Sequence, residues 1–271
     1  MKLKEVINKS YYGCDSYIAS EIDIEKLEKY ILHNLDILKE FKGIIVATNY
    51  DDISLKTKNS LLWKKYFPNC NVIDIPENRG HSFGSCDLDN ALFDFCKEND
   101  YEWLCKSASD ILLFPELLEN NIEPSDFYYY DGIGYGGMAN LDFNLDNILI
   151  NYFFPQTNFY LINVSKTDYL NDMDYVNYTY SECQNLPEEV WDKMFFRKPW
   201  GPFPGWACEK FLADCVERNN LSKYHLIPTE KFIKLLEMIQ KYEIHDCSHK
   251  NIKIEGVCHF HEMDEQIIIL E

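Results

Sequence analysis

The side chains best suited to handling a phosphorylated ligand are gathered in residues 70–119. The run Cys-Asn-Val-Ile-Asp-Ile-Pro-Glu-Asn-Arg-Gly (70–80) takes an apolar stretch into a polar turn. The run Tyr-Glu-Trp-Leu-Cys-Lys-Ser-Ala-Ser-Asp (101–110) takes a second one into Asp110. Arg79 carries a planar fork of N–H donors that matches phosphate oxygens, and Asn78 adds an amide beside it. Asp110 offers the hard oxygen that Mg²⁺ or Mn²⁺ prefers. If both apolar stretches are parallel strands, Asn78, Arg79 and Asp110 share one rim of the sheet. Open α/β sheets bind ligands there, outside the carboxyl ends of their strands.

Other candidates are scattered along the chain. Glu209, in Gly-Trp-Ala-Cys-Glu-Lys (205–210), falls at an expected helix start and can serve as a carboxylate base. Its competing role is a first-turn glutamate stabilised by the helix dipole. Asp51 and Asp52 follow a short apolar run, where a carboxylate can accept from a ribose hydroxyl or a base imide. A solvated loop would carry the same residues. Tyr11 and Tyr12 close an expected first strand and could stack on a base. Finally, His245-Asp-Cys-Ser-His249 and Cys258-His-Phe-His261 contain ligand types that suit zinc, but the spacing matches no common finger. The alternative is one alternating strand over 252–261 that displays His259 and His261 to solvent.

The elements that must position these residues follow from periodicity. Residues 4–12 read as a first short strand. Ile24, Leu27, Ile31, Leu35, Leu38 and Phe41 recur at spacings of three and four, which predicts a helix over 24–41, closed by Gly43. Ile44–Ala47 is a continuous apolar run, as in a central parallel strand. Residues 54–66 read as a helix, 72–75 as a strand, 84–98 as a helix and 103–105 as a strand. Pro115 opens a further helical turn over 116–119. Alternating strand and helix predicts an α/β fold with a doubly wound, mostly parallel sheet flanked by helices. Beyond it, 127–130 and 159–164 read as strands, while 206–220 and 229–242 read as helices. A glycine-rich loop (132–137) and an aromatic, proline-rich segment (187–205) lie between them. We read one domain over 1–271. Its sheet half (1–125) binds one substrate, and a second, α+β half (126–271) builds the other pocket; the resemblance given below makes these the nucleotide-sugar-binding and acceptor-side halves.

Composition limits the partners. The formal charge is −19, from 45 acidic and 26 basic side chains, which opposes nucleic acids and anionic membranes. No apolar run approaches the ~20 residues of a membrane span. The amino terminus has no signal-peptide core, so a cytoplasmic location is expected. Ten cysteines occur without a Cys-x-x-Cys pair, which suits reduced thiols buried as small hydrophobes. The oligomeric state is not legible.

The order strand, Glu-Asn-Arg-Gly turn (77–80), helix, strand, Ser109-Asp110, then Pro-Glu-Leu-Leu-Glu (115–119) resembles the GT-A glycosyltransferases, especially the family 2 type. The resemblance is good over 43–119 and loose over 159–215. It implies a GT-A-like sheet and a sugar moved from a nucleotide-diphosphate donor to a glycan or other hydroxyl acceptor. It also implies an Asp-x-Asp signature whose divalent cation bridges the donor phosphates. Aligned on 115–119, that signature falls on Ala108-Ser109-Asp110, so its first acid is missing and metal dependence is open. The resemblance further places Tyr11, Asp51, Asn78, Arg79 and Asp110 at the donor. It gives Glu209 the role of base and His259 or His261 that of a late metal ligand. Two other functions fit the same stretch. One is a non-catalytic glycan-binding or scaffolding relative. The other is a sugar nucleotidyltransferase, which would want a glycine- and lysine-rich loop that 11–16 does not supply.

Overall fold

The computed structural model describes residues 1–50, 52–131, 155–185, 207–228, 230, 231, 234, 252–259 and 267–269. The chain opens on a short helix, α1 (Lys4–Ile7), and only then enters β1 (Ser10–Ile18). This corrects the strand expected over 4–12. Leu3, Val6 and Ile7 all bury their side chains in the core, at the i, i+3, i+4 spacing of a helical turn and not the alternation of a strand. The Ser10 hydroxyl then donates to the Val6 carbonyl at 2.8 Å as the chain turns into β1.

Three βα steps follow. Helix α2 (Glu21–Leu38) buries Leu27, Ile31, Ile37 and Leu38 along one stripe. Strand β2 (Gly43–Tyr50) is buried from Ile44 through Asn49. Helix α3 (Ile53–Tyr66) is capped by Asp52, whose carboxylate accepts from the Ser54 N–H at 2.6 Å. Strand β3 (Asn71–Asp74) leads through the Asn78–Gly80 turn into α4 (His81–Glu98). Gly80 makes this entry at φ 84°, a left-handed conformation that glycine adopts at little cost. Strand β4 (Trp103–Ala108), β5 (Ile111–Leu113) and α5 (Glu116–Glu119) come next.

After α5 come β6 (Phe127–Asp131), β7 (Pro155–Asn163), α6 (Met173–Gln184), α7 (Ala207–Arg218), β8 (Lys223–His225), β9 (Ile252–Ile254), β10 (Val257–His259) and β11 (Ile268–Ile269). The glycine-rich loop, the aromatic segment at 187–205 and all but three residues of the helix expected over 229–242 lie outside the described residues.

Seven strands form the main sheet in the order β3-β2-β1-β4-β7-β6-β8. The first four are mutually parallel, β7 runs antiparallel between β4 and β6, and β8 is parallel to β6. This is an α/β architecture built on a mostly parallel mixed sheet flanked by helices. The chain moves outward from β1 to β2 and β3, then returns through α4 to lay β4 on the other side of β1. The strand order therefore reverses between β1 and β4, and crevices for ligands open at such points. A second, four-stranded sheet, β11-β9-β10-β5, branches off directly after β4.

The core is double. On one face α2 and α3 pack over Tyr12, Cys14, Val46 and Cys105. On the other, α4 and α7 pack over Ile45, Ala47, Leu104 and Ile162. Gly13 lets α4 come close. A Cβ there would sit 2.6 Å from a Leu104 methyl and 3.2 Å from a Leu92 methyl. Cys14, Cys70, Cys86, Cys96, Cys105, Cys208, Cys215 and Cys258 are buried and form no disulfide, and no helix among the described residues is long and apolar enough to cross a membrane.

Candidate functional site at the β1–β4 rim

The carboxyl ends of β1 and β4 are joined residue by residue. Asp15 lies opposite Ala108 in the ladder, and the Ser109 N–H donates to the Asp15 carbonyl at 3.1 Å. Asp110 follows at once and leads into β5. Asn34 of α2 fixes that strand: its amide donates to the Ile111 carbonyl at 2.7 Å and accepts from the Leu113 N–H at 2.8 Å. In β10, His259 lies in register with Ile111, one residue beyond Asp110.

Beneath the rim lies a cluster of charges that belongs to none of the sequence motifs. Lys106 of β4 is only 1% exposed. Its ammonium sits 3.1 Å from Asp15 Oδ2 and 3.2 Å from Asp89 Oδ1, and it also donates to the Thr157 carbonyl. Asp89 comes from α4, which the glycine at position 13 allows to lie close to the sheet. The Tyr160 hydroxyl of β7 donates to Asp89 Oδ2 at 3.2 Å. Four elements thus meet on one ammonium.

Two carboxylates share one positive charge here, so the fully ionised cluster would bury a net −1. Uncompensated buried charge is expensive, and the titration reflects it. Burial pushes the Asp89 carboxyl up to about 7, with Lys106 pulling it back and Asp15 adding repulsion. Burial likewise raises Asp15, opposed by Lys106, with the Asp110 charge adding to the rise. Burial alone would lower Lys106, but its two carboxylate partners hold it protonated, above the ordinary lysine value.

Glu209 joins the same network from α7. It sits in the first turn of that helix, and its Oε1 accepts from the Thr157 hydroxyl at 3.1 Å. The Cys208 thiol lies 3.0 Å from Oε2. A chain of contacts therefore runs from Glu209 through Thr157 and Lys106 to Asp15, beside Asp110. The expected base and the expected metal ligand are brought to one end of the sheet.

The expected phosphate fork is otherwise engaged. Arg79 is 9% exposed, and its Nε and Nη2 make a bidentate pair with Asp87 at 2.8 and 2.5 Å. Its Nη1 donates to Asn177 Oδ1 at 2.7 Å, and the guanidinium lies 4.9 Å from the Tyr180 ring centre. Arg79 thus ties the β3–α4 turn to α6. Asn78 is exposed. Its side-chain oxygen caps the turn by accepting from the Gly80 N–H at 3.0 Å, and it lies 3.5 Å from the Asn49 amide at the end of β2.

Tyr11 requires a correction. Because β1 runs from Ser10 to Ile18, Tyr11 stands at its start, four residues before Asp15. That is about 13 Å back along the strand at ~3.3 Å per residue. Its ring is stacked on Tyr101, with centroids 3.6 Å apart and planes 3° apart. A ring held there does not reach a base at the carboxyl rim. Asp51 and His261 lie outside the described residues.

Among the described residues, no three His, Cys, Asp or Glu side chains converge as a ready-made metal site. A cation at this rim would have to complete its shell with waters and ligand oxygens, as Mg²⁺ commonly does. One donor fits that role. Asp15 Oδ1 is enclosed by protein and has no hydrogen-bond partner among the described residues, an arrangement that buried polar atoms rarely adopt.

Lys106 and Asp89 were legible as charges in buried stripes, though not as partners of each other. Lys106 interrupts the apolar run Trp-Leu-Cys-Lys-Ser-Ala. Asp89 falls on the same helical stripe as Leu92, Phe93 and Cys96. A charge inside a buried stripe needs a partner of opposite sign, and only the fold reveals which one. No family model matches this chain, and no curated protein matches it significantly.

Proposed function

We propose that this chain is a glycosyltransferase that moves a sugar from a nucleotide-diphosphate donor to a hydroxyl acceptor on a GT-A-like sheet. The observation that carries the reading is the reversal of strand order between β1 and β4, with Asp15 and Asp110 at the carboxyl ends of those strands, where open α/β sheets bind ligands. Glu209, tied to the same rim through Thr157 and Lys106, is the carboxylate that takes the acceptor proton. As that proton leaves, the acceptor oxygen bonds to the anomeric carbon and the bond to the diphosphate breaks. A divalent cation bound at the rim would neutralise charge on the departing diphosphate. Asp110 and Asp15 are the residues that would hold it. Arg79 enters this reading as the tie that fixes the Asn78–Gly80 turn over the end of β2, so the donor phosphates rely on other groups.

The reading predicts that UDP or GDP with Mn²⁺ raises the melting temperature, since a ligand that binds only the folded state stabilises it by RT ln(1 + [L]/Kd). It also predicts that Glu209→Gln keeps that shift while losing transfer. A panel of nucleotide-sugars that produced no shift would contradict it.

A second reading, a glycan-binding relative without turnover, is favoured by Ala108 at the signature position and by the full engagement of Arg79. Donor hydrolysis separates the two. Equal, near-zero rates for the wild type and Asp110→Ala would favour the second reading.

A further inference from the structure

Cys14 and Asp15 are neighbours on β1, so their side chains leave the sheet on opposite faces. Asp15 meets Lys106 on the face covered by α4. Cys14 lies on the other face, in the core under α2 and α3, and a small cavity opens there. Tyr12 and Cys14 of β1, Tyr30 and Asn34 of α2, Trp63 of α3 and Ser109 line it. We propose that this cavity is a binding site for one internal water molecule, which accepts from the Trp63 indole N–H and bridges α3 to α2 and the rim. The site is independent of the transferase reading.

Three observations carry it. The first is an unfilled donor. Trp63 is 2% exposed, and its Nε1 is enclosed without a partner among the described residues. An indole N–H taken out of solvent normally finds an acceptor, because a buried donor left open costs its full desolvation.

The second is size. The room open to a water-sized sphere is about 10 Å³, at the lower end of the ~10–15 Å³ that one water requires. A phosphate or any organic ligand is too large, so the volume selects the occupant.

The third is the chemistry of the wall. A buried water needs about two to four polar partners. Besides the indole N–H, the wall carries the hydroxyls of Tyr12, Tyr30 and Ser109, each able to donate and to accept. The Asn34 amide is already engaged by the Ile111 carbonyl and the Leu113 N–H. The seam beyond the cavity is polar as well. Asn59 precedes Trp63 by about one turn of α3, and Ser16 follows Cys14 on the same face of β1. Asn59 Oδ1 and Ser16 Oγ are likewise enclosed without partners among the described residues. Asn59 Nδ2 donates to Thr48 Oγ1 at 2.9 Å, and Thr48 is the Cα partner of Ser16, so the two lie close together. Unfilled polar atoms thus come from both α3 and β1, as expected of a seam closed through water rather than by direct side-chain contact. Ser109 sets the consequence. Its N–H holds the Asp15 carbonyl, so the water braces the rim from the face opposite Lys106.

Two measurements on the unaltered chain test the proposal. In a crystal, one ordered water should stand within ~2.7–3.2 Å of Trp63 Nε1. Xenon pressure should leave the cavity free of xenon, which enters dry, apolar cavities. In solution, with isotope-labelled tryptophan, the Trp63 indole proton should show a cross-peak to water whose NOE and ROE have opposite signs, the mark of a long-held molecule. The chain has five tryptophans, and Trp63→Phe assigns the signal by removing it. Should that variant fail to fold, contacts from the indole to the methyls of Leu27 and Leu38, which line the same cavity, assign it instead. Xenon in the cavity, Nε1 bonded to a protein acceptor, or no water density at Nε1 would each overturn the proposal. A cross-peak without density would trace to exchange through a neighbouring hydroxyl and would overturn it too. None of these outcomes bears on nucleotide-sugar binding.

Discussion

Replacing Lys106 by methionine keeps most of the side-chain stem and removes the ammonium. Asp15 and Asp89 would then face the interior without the charge that now lies 3.1 and 3.2 Å from them. Removing one partner of a buried ion pair costs about 3–5 kcal/mol, a large share of the ~5–15 kcal/mol that holds a domain together. The loss should depend on pH, and the sign can be worked out. Asp89 already has its carboxyl raised to about 7 by burial against the pull of Lys106. A carboxyl raised above its unfolded value gives stability that is complete below that unfolded value and fades as pH rises through the folded one. Without Lys106 both carboxyls rise further. The deficit should be near its full ~3–5 kcal/mol at about pH 8 and fall below roughly half of that near pH 5.5, where protonation relieves the repulsion. Urea unfolding followed by circular dichroism at the two pH values measures it. A deficit under about 1 kcal/mol, or one equal at both pH values, would refute the claim that two carboxylates share this ammonium.

The remaining predictions concern the same face of the sheet. Asp89→Asn should gain on the wild type as pH rises from about 5 to about 8, because it removes a proton that the wild type must give up over that range. Denaturation at both ends of the range checks the sign, and a constant difference would oppose it. Arg79→Ala should cost about 2–3 kcal/mol, since it strands the Asp87 carboxylate. In a double-mutant cycle with Asp87→Ala the two losses should couple rather than add, whereas simple additivity would show that the bidentate pair carries nothing. Gly13→Ala should destabilise by about 1–3 kcal/mol through overpacking, given the 2.6 Å approach of the Leu104 methyl. A neutral result in thermal unfolding would show that α4 is free to lift.

Much of the parallel half of the fold was legible because its signals are local. Ile44–Ala47 carries the continuous apolar run of a strand buried on both faces, and the structure extends it to Gly43–Tyr50. The helix expected over 24–41 appears at Glu21–Leu38, burying Leu27, Ile31 and Leu38 of the expected stripe and ending before Phe41. The start of the chain misled for a physical reason. Leu3, Val6 and Ile7 have the spacing of a helical turn, but a single turn is too short for its period to stand out beside the strand that begins at Ser10.

The rim was legible in part. Asp110 and Glu209 were found from their places after a strand and at a helix start. The Asp15–Lys106–Asp89 cluster was not, since a strand lysine and a helix aspartate 17 residues apart reveal their pairing only when α4 folds back over β1 and β4. Arg79 shows the converse. Its residue type suits phosphate, but Asp87, eight residues on, sits about two turns into the next helix and takes the fork. The orientation of an arginine is set by its nearest carboxylate, and sequence order does not give that.

The central claim is that a diphosphate docks where strand order reverses. A crystal of the chain soaked with UDP or GDP and Mn²⁺ tests it most directly. The account predicts diphosphate density at the carboxyl ends of β1 and β4, within reach of the Asp15 and Asp110 carboxylates. Density at another edge of the sheet, or a rim left empty at saturating ligand, would contradict it.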